Sequence, residues 1–161
     1  MNNFDLKWSW KSFDQLSKHE LYEVLKFRQL IFVVEQKSWY LDADGLDQCS
    51  EHLLVKKDEN LVGYLRLTPP KKKYKVPSLG RIAVQENMRG NNFGYEIVSE
   101  GLKKSNELYN SVYARISAQQ YLINFYERLG FEVEGDIYDE DGIPHIQLSL
   151  IHISEPTRRR G

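Results

Sequence analysis

The N-terminal part of the chain carries a strand-like pattern of apolar positions followed by a helix-like one. Apolar and polar residues alternate over Leu6–Lys11, which predicts a half-buried β-strand. Over Asp14–Gln36 apolar residues recur every three or four positions, as they do on one face of an amphipathic helix. Ser17 and Glu20 have the spacing of a capping box, which we expect at the start of this helix.

Two short apolar runs with a polar turn between them predict a hairpin in the next part of the chain. His52–Lys57 and Leu61–Leu67 are separated by Asp58-Glu59-Asn60, a typical turn composition. The second run ends at Thr68-Pro69-Pro70, because proline has no backbone N–H to donate to a neighbouring strand. The acidic segment Trp39–Ser50 before the hairpin is predicted to be a loop.

The C-terminal half alternates strand-like runs with helical ones. Strands are predicted over Leu79–Val84, Val112–Ser117, Phe131–Val133 and Ile137–Leu148, the last as one strand or as a hairpin that turns at Asp141-Gly142. Helices are predicted over Phe93–Leu108 and Gln120–Leu129. The order β-α-β-β-β-α-β-α-β-β is typical of an α/β domain with one mixed, strongly twisted sheet.

Composition narrows the class of protein. The 161 residues favour a single domain, and 41% hydrophobic with 28% charged residues is ordinary for a globular protein. A net charge of −1 argues against a general nucleic-acid binder. One cysteine, Cys49, excludes an internal disulfide and a cysteine-rich zinc site. The sequence has no signal peptide and no apolar run of the roughly 18 residues that a membrane span needs, so we expect a cytoplasmic protein.

The last eleven residues, 151–161, differ from the rest of the chain. They end in three arginines, which would suit a basic tail for nucleic acid or membrane. The sequence around them, from Leu148 to Arg158, also resembles the translation of a common transposon-type sequencing adapter. We interpret residues 151–161 as a non-native tail and residues 1–150 as the functional domain.

A glycine-containing turn between a strand and a helix is the most informative stretch. Arg89, Gly90 and Gly94 stand between the predicted strand Leu79–Val84 and the predicted helix that begins at Phe93. Glycines let backbone N–H groups approach a ligand, and a helix N-terminus favours anions such as a pyrophosphate. The spacing matches neither the nucleoside-triphosphate loop nor the dinucleotide fingerprint. Taken alone, the glycines are equally compatible with a structural turn.

This turn and a second block resemble the GNAT superfamily of acetyl-CoA-dependent N-acetyltransferases. Arg89 and Gly94 match the first and last positions of the family's Arg/Gln-x-x-Gly-x-Gly/Ala loop, while Asn92 replaces its middle glycine. Asparagine tolerates left-handed backbone angles better than most residues. The second block, Phe125-Tyr126-x-x-x-Gly130-Phe131, resembles the family's closing helix.

The resemblance implies a set of cofactor-binding positions and an acid. Tyr126 would lie beside the cofactor sulfur and protonate the departing thiolate, for which a phenol of ordinary pKa near 10 is suitable. A backbone N–H of Arg81–Val84 would bind the thioester carbonyl, where the family's sheet is splayed. The implied cofactor-binding residues are Ile82, Ala83, Val84, Arg89, Gly90, Asn91, Asn92, Phe93, Gly94, Gln119, Asn124 and Tyr126.

Three further strings are similar to the ElaA-like branch of this superfamily. They are Arg28-Gln29-x-x-Phe32-Val33-Val34-Glu35-Gln36, the acidic segment from Tyr40 to Asp47 followed by His52, and Tyr138 to Ile146. The implied fold is a GNAT-like single domain, a twisted mixed sheet with helices on both faces. Candidate amine-binding residues are Arg28, Glu35, Tyr40, Asp44, Asp47 and His52.

The general base is left open among Glu35, His52 and His145. His145 has an ordinary pKa close to neutrality, but a structural histidine is an equally valid interpretation. Glu35 could instead pair with Arg28. Asp42, Asp44 and Asp47 lack the spacing of a calcium loop, so no metal is expected, and they suit either an acidic mouth for a cationic amine or a plain charged loop.

The implied activity is transfer of an acetyl group from acetyl-CoA to a primary amine by direct attack in a ternary complex. The acceptor would be a small molecule or an exposed protein amine, and a homodimer is possible. Two alternatives stay open. Arg28, Phe32, Trp39, Asp44 and Asp47 also resemble acyl-homoserine-lactone synthases, and the altered loop at Asn92 would suit a CoA-binding module without turnover.

Overall fold

One mixed sheet runs through the molecule. The computed structural model describes residues 5–111, 113–140 and 143–151. The sheet has seven strands in the order β1-β2-β3-β4-β5-β7-β6. The strands are β1 (Leu6–Ser12), β2 (Glu51–Lys57), β3 (Asn60–Thr68), β4 (Ser78–Val84), β5 (Tyr113–Gln119), β6 (Glu132–Glu140) and β7 (Ile143–Ile151).

Three α-helices cover the two faces of this sheet, which confirms the predicted α/β class. They are α1 (Lys18–Arg28), α2 (Phe93–Tyr109) and α3 (Ile123–Arg128). On one face α1 buries Val24 and Phe27 against Leu54 and Tyr64. On the other face a larger core joins α2 and α3 to the opposite side of the same strands, because neighbouring strand residues point to opposite faces.

The predicted first helix was too long at both ends. Ser17 has extended backbone angles (φ −70°, ψ 162°), and its hydroxyl accepts a hydrogen bond from the Glu20 N–H, so α1 begins after it. Residues Phe13–Gln15 form a separate 3₁₀ turn. Beyond α1 the chain continues as a π-helix over Gln29–Glu35, whose wider turns end the regular 3.6-residue period.

The C-terminal strands also differ from the pattern-based boundaries. The predicted strand Phe131–Val133 is the beginning of the longer strand β6, which is mostly exposed because it forms an edge of the sheet. Gly135 has a φ of +77°, within the irregular pairing between Glu134 and Tyr138. The predicted turn at residues 141–142 and most of the predicted tail, 152–161, lie outside the described residues.

Candidate active site

The sheet opens between β4 and β5, and this opening forms the centre of the candidate site. The two strands are parallel and pair at Ser78 with Arg115 and at Leu79 with Ile116. Within the described chain, no pairing joins them beyond Leu79, although β4 continues to Val84. Arg81 has a left-handed backbone (φ +49°), and the register with β3 shifts between Tyr64 and Arg66. The strands thus part after Leu79, at the position where the family resemblance implied a splayed sheet.

A cavity of about 620 Å³ lies on one side of the opening. Its walls come from the end of β4, the turn before α2, the first residues of α2, the helix α3 and the π-helix. Many predicted cofactor-binding positions meet there. The lining residues are Ile31, Phe32, Glu35, Gln36, Ile82, Ala83, Val84, Arg89, Gly90, Asn92, Gly94, Tyr95, Leu122, Phe125 and Tyr126.

The turn before α2 has the backbone conformation that a close approach to an anion needs. Gly90 has a φ of +87° and Asn92 a φ of +62°, so asparagine takes up the left-handed conformation at the helix start. The Asn92 carbonyl accepts the first hydrogen bond of α2, from the Glu96 N–H. The first N–H groups of an α-helix have no acceptor within the helix, and they point towards its N-terminus. The turn can therefore present several backbone donors to a phosphate.

Arg89 adds a cation to this cavity. Its Nε donates to the Val84 carbonyl at 2.9 Å and its Nη2 donates to Glu35 at 2.9 Å. The Arg89 and Glu35 side chains are 45% and 34% exposed, so water screens their attraction strongly. Glu35 thus pairs with Arg89 rather than with Arg28, and it lies on the same side of the opening as the turn.

Of the predicted cofactor-binding residues, Asn91, Phe93 and Asn124 line neither this cavity nor a second, smaller one at the opening, and Gln119 lines only the second. The Phe93 side chain is buried in the core, edge-to-face with Trp8 at 5.7 Å between ring centroids. Asn91 and Asn124 are exposed and line neither of the cavities at the opening. The side chains of Asn91 and Asn124 thus lie at the surface, and that of Phe93 lies in the core.

Tyr126 lies where the two sides of the opening meet. Its side chain is buried and lines both the large cavity and a second one. Phe125 and Phe131 hold the ring edge-to-face, at 4.9 and 5.8 Å between centroids. Aromatic packing on two sides fixes the direction of the phenol.

The second cavity, of about 130 Å³, is narrower and more polar. Gln119 lines it and donates from its Nε2 to the Gln36 Oε1 at 2.8 Å, which joins β5 to the end of the π-helix. His145 and Glu140 also line it, with 3.9 Å between the His145 Nε2 and a Glu140 carboxylate oxygen. The remaining lining residues are Phe32, Ser38, Tyr40, Gly80, Arg81, Ile82, Ile116, Ser117, Ala118, Leu122 and Tyr126.

The predicted amine-binding residues Arg28, Asp44 and Asp47 belong to an ion network beneath the 38–50 loop. Arg28 is fully buried and donates to Asp42 and Asp47 at 2.8 Å each. Arg66, also buried, donates to Asp47 at 2.9 Å and to Asp44 at 2.8 Å. Arg81 pairs with Asp42 and Asp44 at 2.8 and 3.2 Å. Three guanidinium groups thus neutralise three carboxylates, so the acidic segment is not a free anionic mouth.

His52 is part of the same network rather than of a cavity. Its ring nitrogens lie 2.6 Å from the Tyr64 hydroxyl and 2.9 Å from the Asp47 carbonyl. A backbone carbonyl can only accept, so the Nε2 of His52 carries the proton and Nδ1 accepts from Tyr64. Burial lowers the pKa of His52 by more than the nearby Asp47 raises it. The histidine is therefore neutral and structural in this conformation.

The network also favours the ionised forms of Asp44 and Asp47. Burial alone would raise the pKa of Asp47, but hydrogen bonds and attraction from Arg28 and Arg66 outweigh it and hold the pKa below its usual range. The same balance, dominated by Arg66 after burial, holds the pKa of Asp44 far below its usual range. Tyr40 connects the network to the second cavity, because its hydroxyl donates to Asp42 and its ring lies 5.5 Å from the Arg81 guanidinium.

Sequence reasoning missed several residues that build the site. Arg66 stands within the otherwise apolar run of β3, and a lone cation in a buried strand signals a buried ion pair. Glu140 lies in a string that the family resemblance used, but no role was assigned to it. Gln36 and Phe125 also lie in such strings without an assigned role, and Tyr95 gave no signal, because its position at the opening depends on how the turn leads into α2.

No three His, Cys, Asp or Glu side chains are grouped as ligands for a metal in the part of the chain that the structure describes. In the same residues, no helix is both long and apolar enough to cross a bilayer.

Comparison with known sequences gives a family and close relatives. A family model for the acetyltransferase (GNAT) domain matches residues 16–151. A UPF0039 protein of Synechocystis sp. is 43% identical over 145 residues, which span 89% of this chain and 94% of the relative. Protein ElaA of Escherichia coli is 34% identical over 146 residues, which span 89% of this chain and 95% of that protein.

Solved structures agree with this assignment. An acyl-CoA N-acyltransferase from Pseudomonas aeruginosa superposes with a TM-score of 0.86 at 35% identity, over 90% of this chain and 99% of that one. The structure of Escherichia coli ElaA superposes with a TM-score of 0.84 at 33% identity, over 90% of this chain and 99% of that one. An aminoglycoside 6'-N-acetyltransferase complexed with coenzyme A shares the fold, with a TM-score of 0.69 at 15% identity over 89% and 96%.

Proposed function

The chain belongs to the GNAT acetyltransferase family, in its ElaA-like branch, and on that premise we propose that it transfers the acetyl group of acetyl-CoA to a primary amine. One observation carries the proposal. Two cavities lie at the opening between β4 and β5, and Tyr126 lines both of them. A thioester in the large cavity and an amine in the narrow one would meet there, which suits direct attack in a ternary complex.

The large cavity would hold acetyl-CoA. Its donors are the Arg89 guanidinium and the backbone N–H groups of the turn from Gly90 to Gly94, a set suited to a diphosphate. Arg89 is bound to an exposed carboxylate of Glu35, a partner that a diphosphate would replace at low cost. Ile82, Ala83 and Val84 line the route from this turn to Tyr126 and suit the extended pantetheine arm.

The edge of β4 that faces β5 would stabilise the developing oxyanion. Beyond Leu79 this edge has no strand partner among the described residues. Backbone N–H groups there are therefore available for the thioester carbonyl, whose oxygen becomes negative as the amine attacks. Such a donor contributes about 3–4 kcal/mol to the transition state where it has been measured in other enzymes.

Tyr126 and His145 divide the proton transfers. His145 is the proposed base: it takes one proton from the acceptor ammonium, so that the neutral amine can attack the thioester carbon. The new C–N bond forms, the C–S bond breaks, and Tyr126 protonates the thiolate. The phenol is restored by the second proton of the amine nitrogen. Glu35, the other proposed base, lies on the acetyl-CoA side and is bound to Arg89.

Release of free thiol from acetyl-CoA in the presence of primary amines tests this proposal. We expect amine-dependent thiol release by the wild type, and a fall in kcat of about 100-fold for Tyr126→Phe, within the usual range for loss of general acid catalysis. The dissociation constant for acetyl-CoA should stay the same, because the phenyl ring keeps its packing. Tyr22→Phe, at a 73% exposed tyrosine, is the matched control.

Three outcomes would contradict the proposal. An unchanged kcat in Tyr126→Phe would remove the tyrosine from the proton transfers. Tight binding of acetyl-CoA without thiol release for any amine would instead support a CoA-binding module. Transfer from an acyl carrier to form a homoserine lactone would favour the synthase-like alternative.

A further inference from the structure

We propose that the narrow cavity accepts a primary amine at the end of an unbranched aliphatic chain and that Glu140 recognises its ammonium group. This inference rests on the proposed function, because it names the class of acceptor for that same reaction. The motifs in the sequence assign no role to Glu140. The size of the cavity, its charges and the neighbours of Glu140 support this assignment.

The dimensions of the cavity limit the acceptor. A volume of about 130 Å³ corresponds to roughly four water molecules at about 30 Å³ each. Phe32, Ile82, Ile116 and Leu122 give it apolar walls. A slender apolar stem fits between these walls.

The charged residues of the cavity favour a positive group at the end of that stem. The lining contains two residues charged at neutral pH, Arg81 and Glu140. Arg81 is neutralised by Asp42 and Asp44 within the buried network. Glu140 is 42% exposed, and its contacts in the cavity are the Ser117 hydroxyl at 3.5 Å and His145 at 3.9 Å. The carboxylate is therefore the charge of this cavity that is left to attract an ammonium.

A side chain of the protein already resembles the proposed ligand. Lys73, an ammonium on a four-carbon stem, lies within electrostatic reach of Glu140 and of Arg81. The groups that act on or contact Glu140 are Lys73, Tyr74, Tyr138, Ser117 and His145. An acceptor ammonium would replace the exposed Lys73 near Glu140 and lie next to His145, the proposed base.

The experiment compares two amines in the wild type and in Glu140→Gln. n-Butylamine is charged near neutral pH, whereas O-methylhydroxylamine is of similar width but uncharged. For Glu140→Gln we expect kcat/KM for butylamine to fall about ten- to 100-fold through KM, the usual size for a lost charge-assisted contact. The value for O-methylhydroxylamine should change less than about twofold. Glu132→Gln, at an exposed carboxylate of the same strand, is the matched control.

Other outcomes have distinct meanings. An equal loss of kcat for both amines would overturn the proposal, since Glu140 would then only position His145. Lys73→Gln should lower KM for butylamine by a few-fold, because it removes a competing ammonium, and an increase would contradict the assignment. Nα-acetyl-lysine amide carries the same linear primary amine as a lysine side chain. Its acetylation would identify a protein amine as an acceptor. Thiol release with bulky amines but with neither linear one would leave the proposed function intact and overturn this inference.

Discussion

Two sets of ion pairs, one at each end of the π-helix Gln29–Glu35, show how differently one kind of contact can be used. Beneath the 38–50 loop, Arg28 and Arg66 are at most 2% exposed and each bridges two carboxylates. At the large cavity, Arg89 and Glu35 form one pair with 45% and 34% of their side chains exposed. The distances are nearly the same, 2.8–2.9 Å, so burial rather than geometry distinguishes the two regions.

The comparison separates residues that hold the site from residues that can exchange partners. When a buried charge loses its partner, water cannot take the partner's place. Each residue of the network is therefore required for the stability of the others. Water screens the exposed pair, and its breakage changes stability little. We therefore expect the network to determine whether the protein folds and the Arg89–Glu35 pair to respond to ligand.

Asp47→Asn should give the largest effect. It weakens the contacts of two buried guanidinium groups, and breaking such a pair typically costs about 3–5 kcal/mol of unfolding free energy. Urea unfolding followed by circular dichroism measures this loss. Glu35→Gln, which breaks the exposed pair, should change the same quantity by less than about 1 kcal/mol. Similar losses in the two variants would show that burial does not distinguish the regions.

On acidification, the unfolding free energy should fall in two separate pH ranges because of the network. Burial lowers the pKa of His52 in the folded state, so below its ordinary pKa of about 6.5 the unfolded chain binds a proton that the folded protein does not. The unfolding free energy should therefore fall between pH 7 and pH 5, by at most about 2 kcal/mol. The lowered pKa values of Asp44 and Asp47 add a further loss below about pH 4, where the unfolded carboxyls become protonated.

Replacement of His52 separates the first range from the second. His52→Gln should flatten the stability profile between pH 7 and pH 5 while the loss below pH 4 stays. His19→Gln, at an exposed histidine, should leave both ranges unchanged. A wild-type profile that is flat down to pH 5 would contradict the assignment of a neutral, buried His52.

The sequence predicts the fold well where one local signal is sufficient. The hairpin β2–β3 pairs Lys57 with Asn60 as its turn composition indicates, and Ser17 caps α1 through Glu20. The end of α1 could not be predicted, because the apolar spacing of Gln29–Glu35 does not distinguish a π-helix from an α-helix. The irregular edge strand β6 was missed in part because its exposed residues lack an apolar period.

Only the residues that belong to sequence motifs could be predicted as part of the site. The loop motif groups Arg89, Gly90 and Asn92, and in the structure these residues line one cavity together with Tyr126. Motifs do not say which charges become buried together. Arg28, Asp47 and His52 are predicted at the acceptor, and in the structure Arg66 on β3 joins them in one buried network. That juxtaposition depends on tertiary packing.

Arg89→Gln is expected to have the smallest effect on stability and a clear effect on ligand binding. Loss of one guanidinium from a diphosphate site should weaken acetyl-CoA binding about tenfold, or about 1.4 kcal/mol, while the unfolding free energy changes by less than about 1 kcal/mol. Glu35→Gln should leave the affinity equal or slightly higher, because it releases Arg89 from its exposed partner.

Calorimetric titration of acetyl-CoA into the wild type and into Arg89→Gln tests the central claim, that the large cavity between β4, α2 and α3 binds this donor. We predict one site per chain with a micromolar dissociation constant for the wild type, and about tenfold weaker binding for Arg89→Gln. Absence of binding by the folded wild type, or equal affinity in the two proteins, would contradict the assignment of the cavity to acetyl-CoA.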